Sequence, residues 1–345
     1  MVVRGKLTAI ETIPHWALRT FALALGFATL VGCSGAPSPT AKTHSITLGT
    51  SREPLGALVQ IAASRGFFAE EGLELTLVEK YPTGKRALDG LLAGEVEITG
   101  VSEAPLVFAS FERNDLRVLA TVGASDDESC ILARRDAGIE QPGDLRDKRI
   151  GTQRASAVHY FLSLFLLRHG MSANDVDVSF LAAESLPEAL ADGRIDAFAM
   201  REPFASQAIK LLGADNVVLF REPGLYLKTY NLVTIQSVLD DKPAAVAAML
   251  RAILRAEEYA GEYPQRVIDF LAARLGMERS AVSGLWEALD LRVSLGQELL
   301  TSLEDEARWA VRSGYVQADA IPNYLDVLEL EPLESLQPTA VTVVH

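Results

Sequence analysis

The side chains best suited to covalent or metal chemistry are few and poorly placed for it. The sequence has five histidines and two cysteines, and only His159 and His169 lie well inside it. These two fall ten residues apart on one predicted helix, about 280° around its axis, so they cannot face a common site. No HExxH, CxxC, GxGxxG, GxxxxGK[ST] or GxSxG spacing occurs. The sequence therefore predicts no catalytic residue, no metal site and no cofactor.

The charge balance narrows the class of partner. Lys and Arg number 32 against 46 Asp and Glu, a formal net charge of −14. A nucleic-acid-binding protein holds phosphates with a basic face, which this composition does not supply. Apolar residues make up 49% and charged residues 23% of the chain, as in a folded globular protein. We interpret the acidic run Asp126-Asp127-Glu128 as a solvated turn.

Alternating and helical segments follow one another along residues 45–235. Short strands separated by helices of about 10–15 residues indicate α/β bodies with parallel strands and right-handed crossovers. From Pro243 to about Ser313 the pattern is almost continuously helical, starting with a stripe through Val246, Met249 and Ile253. The predicted strands are Ser45–Gly49, Glu74–Glu79, Val96–Val101, Leu116–Val122, Arg149–Thr152, Val176–Leu181, Ile195–Ala199, Val217–Phe220 and Tyr230–Ile235.

These strands divide into two sets, which predicts two bodies with a cleft between them. Ile131–Ala133 leaves the first body, and Tyr230–Ile235 returns to it. Ligands of open α/β sheets bind beyond the carboxyl ends of the strands, and clefts between domains are common binding sites. We therefore expect lobe 1 to comprise residues 46–130 plus 231–345, and lobe 2 to comprise residues 131–230.

The first 32 residues have the features of an export signal. Basic residues precede an apolar run of about 11 residues, Phe21–Val31, which is shorter than the roughly 20 that span a bilayer. The run ends in Leu30-Val31-Gly32-Cys33. This motif resembles the bacterial lipobox, in which cleavage precedes a cysteine whose thiol carries diacylglycerol. We expect a lipoprotein signal peptide at 1–32, with an ordinary secretory signal as the alternative.

Lipidation of Cys33 has consequences for location and for the second cysteine. The protein is then held at the membrane, in the periplasm or at the cell surface, through its N-terminal lipid. Residues 33–45 are polar and Pro-containing and are predicted to form a flexible tether. Cys130 has no disulfide partner left, so we expect it to be a small buried apolar residue.

Four stretches carry a family resemblance. In chain order they are Gly66–Glu71 (GFFAEE), Lys148–Leu162 (KRIGTQRASAVHYFL), Gly193–Phe204 (GRIDAFAMREPF) and Asp240–Ala260, which contains a D-x-P helix start. Together they resemble the bacterial ABC-transporter periplasmic substrate-binding proteins of the sulfonate/nitrate/taurine type, the NMT1/THI5-like family. The resemblance covers roughly residues 45–270.

The resemblance implies a fold and a function. The fold is a type II Venus-flytrap: two α/β lobes, two hinge strands and a helical C-terminal part. Such a receptor, expected to be a monomer, captures a small solute by hinge closure and passes it to an ABC permease and its ATPase. It is not an enzyme and needs no cofactor, and here the solute is expected to be a sulfonate- or nitrate-like anion.

The resemblance also places ligand contacts in strand-end loops of both lobes. The loop before Val158 opens a helix whose free N–H groups suit an anion, and the forked guanidinium of Arg154 or Arg201 suits a sulfonate, nitrate or carboxylate. Arg201 stands where much of the family has an aromatic residue, and Ser156 either contacts the ligand or caps its helix. The matching positions are Ser51, Glu53, Thr83, Gly84, Ser102, Glu103, Arg154, Ser156, Arg201 and Glu202.

Other functions stay open at this point. A flat or cationic heterocycle, such as a pyrimidine precursor of thiamine, would use the glutamates as acceptors and Tyr81, Phe108, Tyr226 or Tyr230 as stacking partners. A sensor or docking lipoprotein could use the same fold for signalling. An enzyme that builds a pyrimidine from pyridoxal phosphate and its own histidine is similar in fold. It would need a Cys-rich iron site and a lysine for the cofactor, for which the sequence shows no signal.

Overall fold

The computed structural model describes residues 44–344. The predicted signal peptide, Cys33 and all but the last two residues of the predicted tether lie outside this range. Within it the chain forms ten strands, numbered in chain order. They are β1 (His44–Ser51), β2 (Leu73–Tyr81), β3 (Ile98–Val101), β4 (Leu116–Ser125), β5 (Ser129–Arg134), β6 (Arg149–Thr152), β7 (Asp177–Phe180), β8 (Ala197–Arg201), β9 (Val217–Phe220) and β10 (Lys228–Ile235).

The α-helices of the described range alternate with the strands and then dominate the C-terminal third. They are α1 (Ala57–Arg65), α2 (Phe67–Glu70), α3 (Gly84–Leu92), α4 (Glu103–Ser110), α5 (Ala157–Arg168), α6 (Leu186–Ala191), α7 (Phe204–Leu212), α8 (Gln236–Asp241), α9 (Pro243–Glu262), α10 (Pro264–Leu275), α11 (Arg279–Trp286), α12 (Gln297–Arg312) and α13 (Glu331–Glu334).

The strands form two five-stranded sheets, each at the centre of one lobe. The first has the order β2-β1-β3-β10-β4 and the second β7-β6-β8-β5-β9. The chain crosses between the sheets at residues 126–128 and 221–227, a few residues from the lobe boundaries that the sequence suggests.

Not all strands are parallel, and here the sequence prediction needs correction. β1 is parallel to β2 and β3, and β6 is parallel to β7 and β8. However, β10 is antiparallel to β3 and β4, and β5 is antiparallel to β8 and β9. These two strands enter from the other lobe, without the helical crossover that makes consecutive strands of one sheet parallel.

Each sheet is covered by helices on both faces. One large buried cluster joins the first sheet to α1, α9, α10 and α12, and two smaller clusters cover the two faces of the second sheet. The central strand β3 is consequently buried along its whole length, whereas the edge strands β2 and β7 are only partly buried.

The C-terminal region is less continuously helical than its sequence pattern predicts. Between α11 and α12 the chain extends along β4: Thr121 exchanges backbone hydrogen bonds with Ser294, and Ala124 does so with Asp290. The reason is that β4 is the last strand of its sheet, and its outer N–H and C=O groups need partners.

Cys130 has the environment predicted for it. The residue is fully buried, and its thiol donates to the Met200 carbonyl at 3.3 Å. Burial raises the pKa of the thiol to about 12, so it stays protonated and unreactive.

Neither membrane crossing nor metal binding is evident in residues 44–344. No helix in this range combines the length and apolarity that a bilayer span requires. In the same range, no three His, Cys, Asp or Glu side chains are grouped so as to hold a metal ion.

Candidate functional site

A small cavity lies where the two sheets present their strand ends to each other. Its volume is about 20 Å³, enough for roughly one water-sized group. Loops after β1, β2, β3 and β6 contribute to it, together with the end of β8 and the first residue of β10. That residue is at the same edge because β10 runs antiparallel to β3. The lining residues are Glu53, Thr83, Gly84, Lys85, Ser102, Pro105, Gln153, Ser156, Ala157, Val158, Met200, Arg201 and Lys228.

Three helices begin at this cavity. Thr83 caps α3 by accepting from the Arg86 N–H at 3.3 Å, and the Gln153 amide donates to the same hydroxyl at 3.3 Å from the other lobe. The side chains of Ser102 and Ser156 do not cap α4 and α5. The first N–H groups of a helix lack intrahelical acceptors and lie at the positive end of its dipole, so three such ends favour an anion.

Gly84 allows one of these helices to begin so close to the sheet. A Cβ atom at Gly84 would lie 3.1 Å from the Gly100 carbonyl oxygen and from the Val101 Cα. Both are backbone atoms, so a larger first residue of α3 would require the backbone to shift by a few tenths of an ångström.

A buried network of four charges forms one wall of the site and links the lobes. Arg201 donates to Glu53 at 3.2 Å, and Lys228 donates to Glu53 at 2.9 Å and to Glu128 at 2.7 Å. The Arg201 Nε lies 3.8 Å from the second oxygen of Glu128. All four side chains are at most 5% exposed. Two cations and two anions balance in this network, so positive potential in the cavity comes from the helix ends and from Lys85, which also lines it.

The ionisation of Glu53 follows from its partners. Burial by itself raises the pKa of this carboxyl, but attraction by Arg201 and Lys228 and the hydrogen bond from Ser51 outweigh burial. The result is a pKa of about 2, so Glu53 is an anion at every physiological pH.

The structure brings six of the ten predicted ligand-binding residues to the cavity wall: Glu53, Thr83, Gly84, Ser102, Ser156 and Arg201. The other four lie elsewhere. Ser51 donates to Glu53 at 2.5 Å, Glu103 is buried behind the wall, and Glu202 accepts from the Ser206 N–H at 3.0 Å. Arg154 is exposed, and its guanidinium lies 5.7 Å from the Phe180 ring centre.

Arg154 and Arg201, the two residues predicted to hold the anion, therefore lie in different environments. Arg201 reaches the cavity but is already paired with glutamates, and Arg154 is not among the residues that line it. Ser156 donates to the Gln153 carbonyl at 2.6 Å, so it shapes its loop rather than capping α5.

The aromatic residues considered for a heterocycle have other roles. The hydroxyl of Tyr230 bonds Thr50 at 2.9 Å, and that of Tyr81 donates to Glu95 at 2.9 Å. Tyr226 is fully engaged with two glutamates. Phe108 lines a separate groove described below. The described residues thus provide no aromatic ring on the wall of the interlobe cavity.

Two members of the charge network were missed by the sequence reading. Glu128 is 3% exposed and belongs to the network, so the interpretation of residues 126–128 as a solvated turn is wrong for this residue. Lys228 was not in the predicted set. A lone lysine two residues before an apolar strand, at the return crossover, was the available signal for it.

A second buried cluster connects α12 to both lobes. The Tyr226 hydroxyl lies 3.1 Å from Glu103 of α4 and 3.0 Å from Glu306 of α12. Burial and the neighbouring carboxyl raise the pKa of Glu306 well above its ordinary value, and burial also raises that of Glu103. Two carboxyls that share one phenol proton cannot both be ionised comfortably, so the pair retains a proton.

Aromatic rings extend this contact. His159 of α5 is buried, with ring centres 4.9 Å from Trp309 of α12 and 4.6 Å from Tyr315. Burial and the nearby charge of Arg154 lower the pKa of His159 to about 4, so the imidazole is neutral. His159 is therefore a packing residue at the contact between the lobes.

Together these features define a fold class: two α/β lobes with a cavity between their strand ends, the architecture of periplasmic binding proteins. The structure resembles that of the alkanesulfonate-binding protein SsuA from Xanthomonas axonopodis pv. citri bound to MOPS, with a TM-score of 0.71. The match covers 83% of this chain and 98% of that one at 19% identity, so it establishes the fold alone.

Sequence relatives agree with this class. A candidate aliphatic sulfonates-binding protein of Bacillus subtilis (strain 168) is 24% identical over 87% of this chain and 90% of its own length. Another from Escherichia coli (strain K12) is 24% identical, but the alignment spans only 38% of this chain and 41% of that protein. Residues 56–267, more than half of the chain, match the model of the family described as NMT1/THI5 like. The chain belongs to this family, which confirms the family that its sequence motifs indicate.

Proposed function

We propose that this protein is the extracytoplasmic solute-binding lipoprotein of an ABC importer, and that it captures a small oxyanion between its lobes. The observation that carries the proposal is the meeting of three helix N-termini, α3 and α4 from one lobe and α5 from the other, at one cavity. An anion that accepts hydrogen bonds from both lobes binds the juxtaposed arrangement better than the separated one. It therefore favours hinge closure.

Two neighbouring cations support this choice of ligand. Arg201 and Lys228 lie on the cavity wall with N–H groups beyond those given to the glutamates, because a guanidinium has five donors and an ammonium three. The names of the sulfonate-binding relatives point to the same class of solute. In this proposal the protein binds its solute and releases it chemically unchanged.

The lobes are proposed to move as the units that the sequence suggests, residues 46–130 plus 231–345 against 131–230. The partners are an ABC permease and its ATPase, and the receptor acts as a monomer anchored through lipid on Cys33. Mass spectrometry of the mature N-terminus tests the anchor: a diacylglyceryl mass on Cys33 is expected, and its absence in the membrane fraction contradicts the anchor.

One backbone N–H group offers a sharp test of the anion site. Ala157 is the first residue of α5, a position that tolerates proline, and Ser156 has the extended conformation that precedes proline readily. Ala157→Pro therefore removes one N–H group from the cavity while keeping the helix. Losing one hydrogen bond to a charged ligand costs about 1.5–3 kcal/mol, roughly a 10- to 150-fold weaker affinity.

Calorimetric titration with methanesulfonate, nitrate and sulfate measures this effect. Arg279→Pro, at the first position of α11, is the matched control and should leave affinity unchanged. Equal affinity of Ala157→Pro and the unchanged protein for every oxyanion contradicts the proposed site. Conversion of the solute during the titration, detected by NMR, contradicts the proposal that the protein only binds it.

A further inference from the structure

An open groove of about 430 Å³ lies next to the interlobe cavity. Lys85 and Pro105 line both spaces, so the groove and the cavity are adjacent. The groove is bounded by α3 and α4 of the first lobe, by Ala155 of the second lobe, and by residues 315–317 after α12. It is therefore a second feature formed where the lobes meet.

The groove has an apolar floor and a polar rim. Leu88 and Pro105 are buried in the floor, whereas Leu92, Phe108 and Phe111 are only half-buried. Half-buried apolar side chains gain by being covered, because covering removes more of their surface from water. The rim consists of Lys85, Asp89, Glu112 and Gln317.

The cavity and the groove differ greatly in volume, so they would hold different parts of a larger solute. The inner cavity, at about 20 Å³, leaves no space for the carbon skeleton of a larger solute beside the helix N-termini. The groove, at about 430 Å³, exceeds the roughly 150 Å³ of an apolar cavity that binds benzene. The groove is therefore the adjacent space that is large enough for the carbon skeleton of a solute whose acid group is at the helix N-termini.

We propose that this groove is a subsite for the apolar, ring-bearing tail of an organic anion whose acid group binds in the interlobe cavity. This inference rests on the proposed function and names the class of solute. Three aromatic rings favour a ring over an extended chain: Phe108, Phe111 and Tyr315 line the groove, and aromatic pairs gain from edge-to-face contact. Nitrate would leave the groove unfilled.

Ala155 provides a way to alter the groove from the second lobe. It has φ of +54°, a left-handed conformation that asparagine also adopts readily, and it lines the groove. Ala155→Asn therefore keeps the backbone and adds a polar group to the subsite. Phe111→Ser removes a ring from the opposite wall, and Phe67→Ser, at another half-buried phenyl packed on the same core, is its control.

The experiment is a calorimetric titration of the purified protein with methanesulfonate, hexanesulfonate, benzenesulfonate and 2-naphthalenesulfonate. We expect affinity to rise about tenfold from methanesulfonate to benzenesulfonate, and further for the naphthyl compound. Phe111→Ser and Ala155→Asn should each reduce this gain to about threefold or less, with methanesulfonate affinity unchanged. Phe67→Ser should keep the full gain.

Several results would overturn the subsite. Equal affinities across the series, or tighter binding of hexanesulfonate than of either aromatic sulfonate, would show that the groove does not recognise a ring. A uniform loss for all four compounds in both groove variants would show a structural effect only. If methanesulfonate binds but the aromatic sulfonates gain nothing, only the subsite is refuted. If none of the four compounds binds the unchanged protein, the proposed anion site is refuted as well.

Discussion

Replacing Glu306 by glutamine should stabilise the protein at neutral and alkaline pH and have little effect in acid. Glu306 lies fully buried in α12, with one oxygen 3.0 Å from the Tyr226 hydroxyl. Its other oxygen has no hydrogen-bond partner among residues 44–344. Glutamine has the same shape and can occupy the same place without carrying charge.

The magnitude follows from proton linkage. The pKa of Glu306 is raised well above the ordinary 4.5 by burial and by Glu103, so the folded protein holds a proton that the unfolded chain releases above pH 4.5. Between pH 4.5 and the folded-state pKa, the free energy of unfolding falls by about 1.4 kcal/mol for each pH unit. Glutamine avoids this loss because it does not titrate.

Urea denaturation of the Glu306→Gln variant from pH 4.5 to 8 measures the difference. Its stability gain should grow by about 1.4 kcal/mol for each pH unit, equivalent to roughly 2 °C in Tm. Glu304→Gln is the control: Glu304 lies on the same helix, partly exposed and hydrogen-bonded to Arg308, and should not change the pH profile. Parallel profiles for Glu306→Gln and the unchanged protein would refute the assignment of a retained proton to this pair.

Three more predictions concern stability. Lys228→Met should lower the free energy of unfolding by about 3–5 kcal/mol in urea, since it leaves buried carboxylates without their ammonium; a change below 1 kcal/mol would contradict a tightly coupled network. Because folding lowers the pKa of Glu53, the free energy of unfolding should fall by about 3 kcal/mol as pH falls from 4.5 to 2. A free energy of unfolding, measured in guanidinium, that stays constant over this range would contradict the lowered pKa. Gly100→Ala places a Cβ 2.3 Å from the Tyr230 ring and should cost about 1–3 kcal/mol, whereas Gly143→Ala faces open space and should not affect Tm.

The local pattern of apolar and polar residues was sufficient to predict many of the strands. Val217–Phe220 and Arg149–Thr152 were predicted with the bounds that the structure has. The division of the chain into lobes of residues 46–130 plus 231–345 and 131–230 stays a prediction. The antiparallel direction of β5 and β10 was not accessible in this way, since strand direction depends on where the chain enters a sheet.

The loops that line the interlobe cavity were likewise indicated by motifs, but the environment of each side chain was not. Arg154 and Arg201 are equivalent by type, yet one is exposed and the other is buried against Glu53. Burial and pairing depend on residues 148 positions apart in the chain, and no spacing rule reports such contacts.

The amino-acid sequence alone determined the two-lobe α/β class, the family and the strand-end loops, because periodicity and short motifs are local properties. Only the tertiary structure decided which charges neutralise one another, that Glu128 is buried, and that Glu103 and Glu306 share a proton with Tyr226 between them. These outcomes depend on distances and on exclusion of water. Both arise when distant segments pack together, so they are properties of the fold and not of any segment.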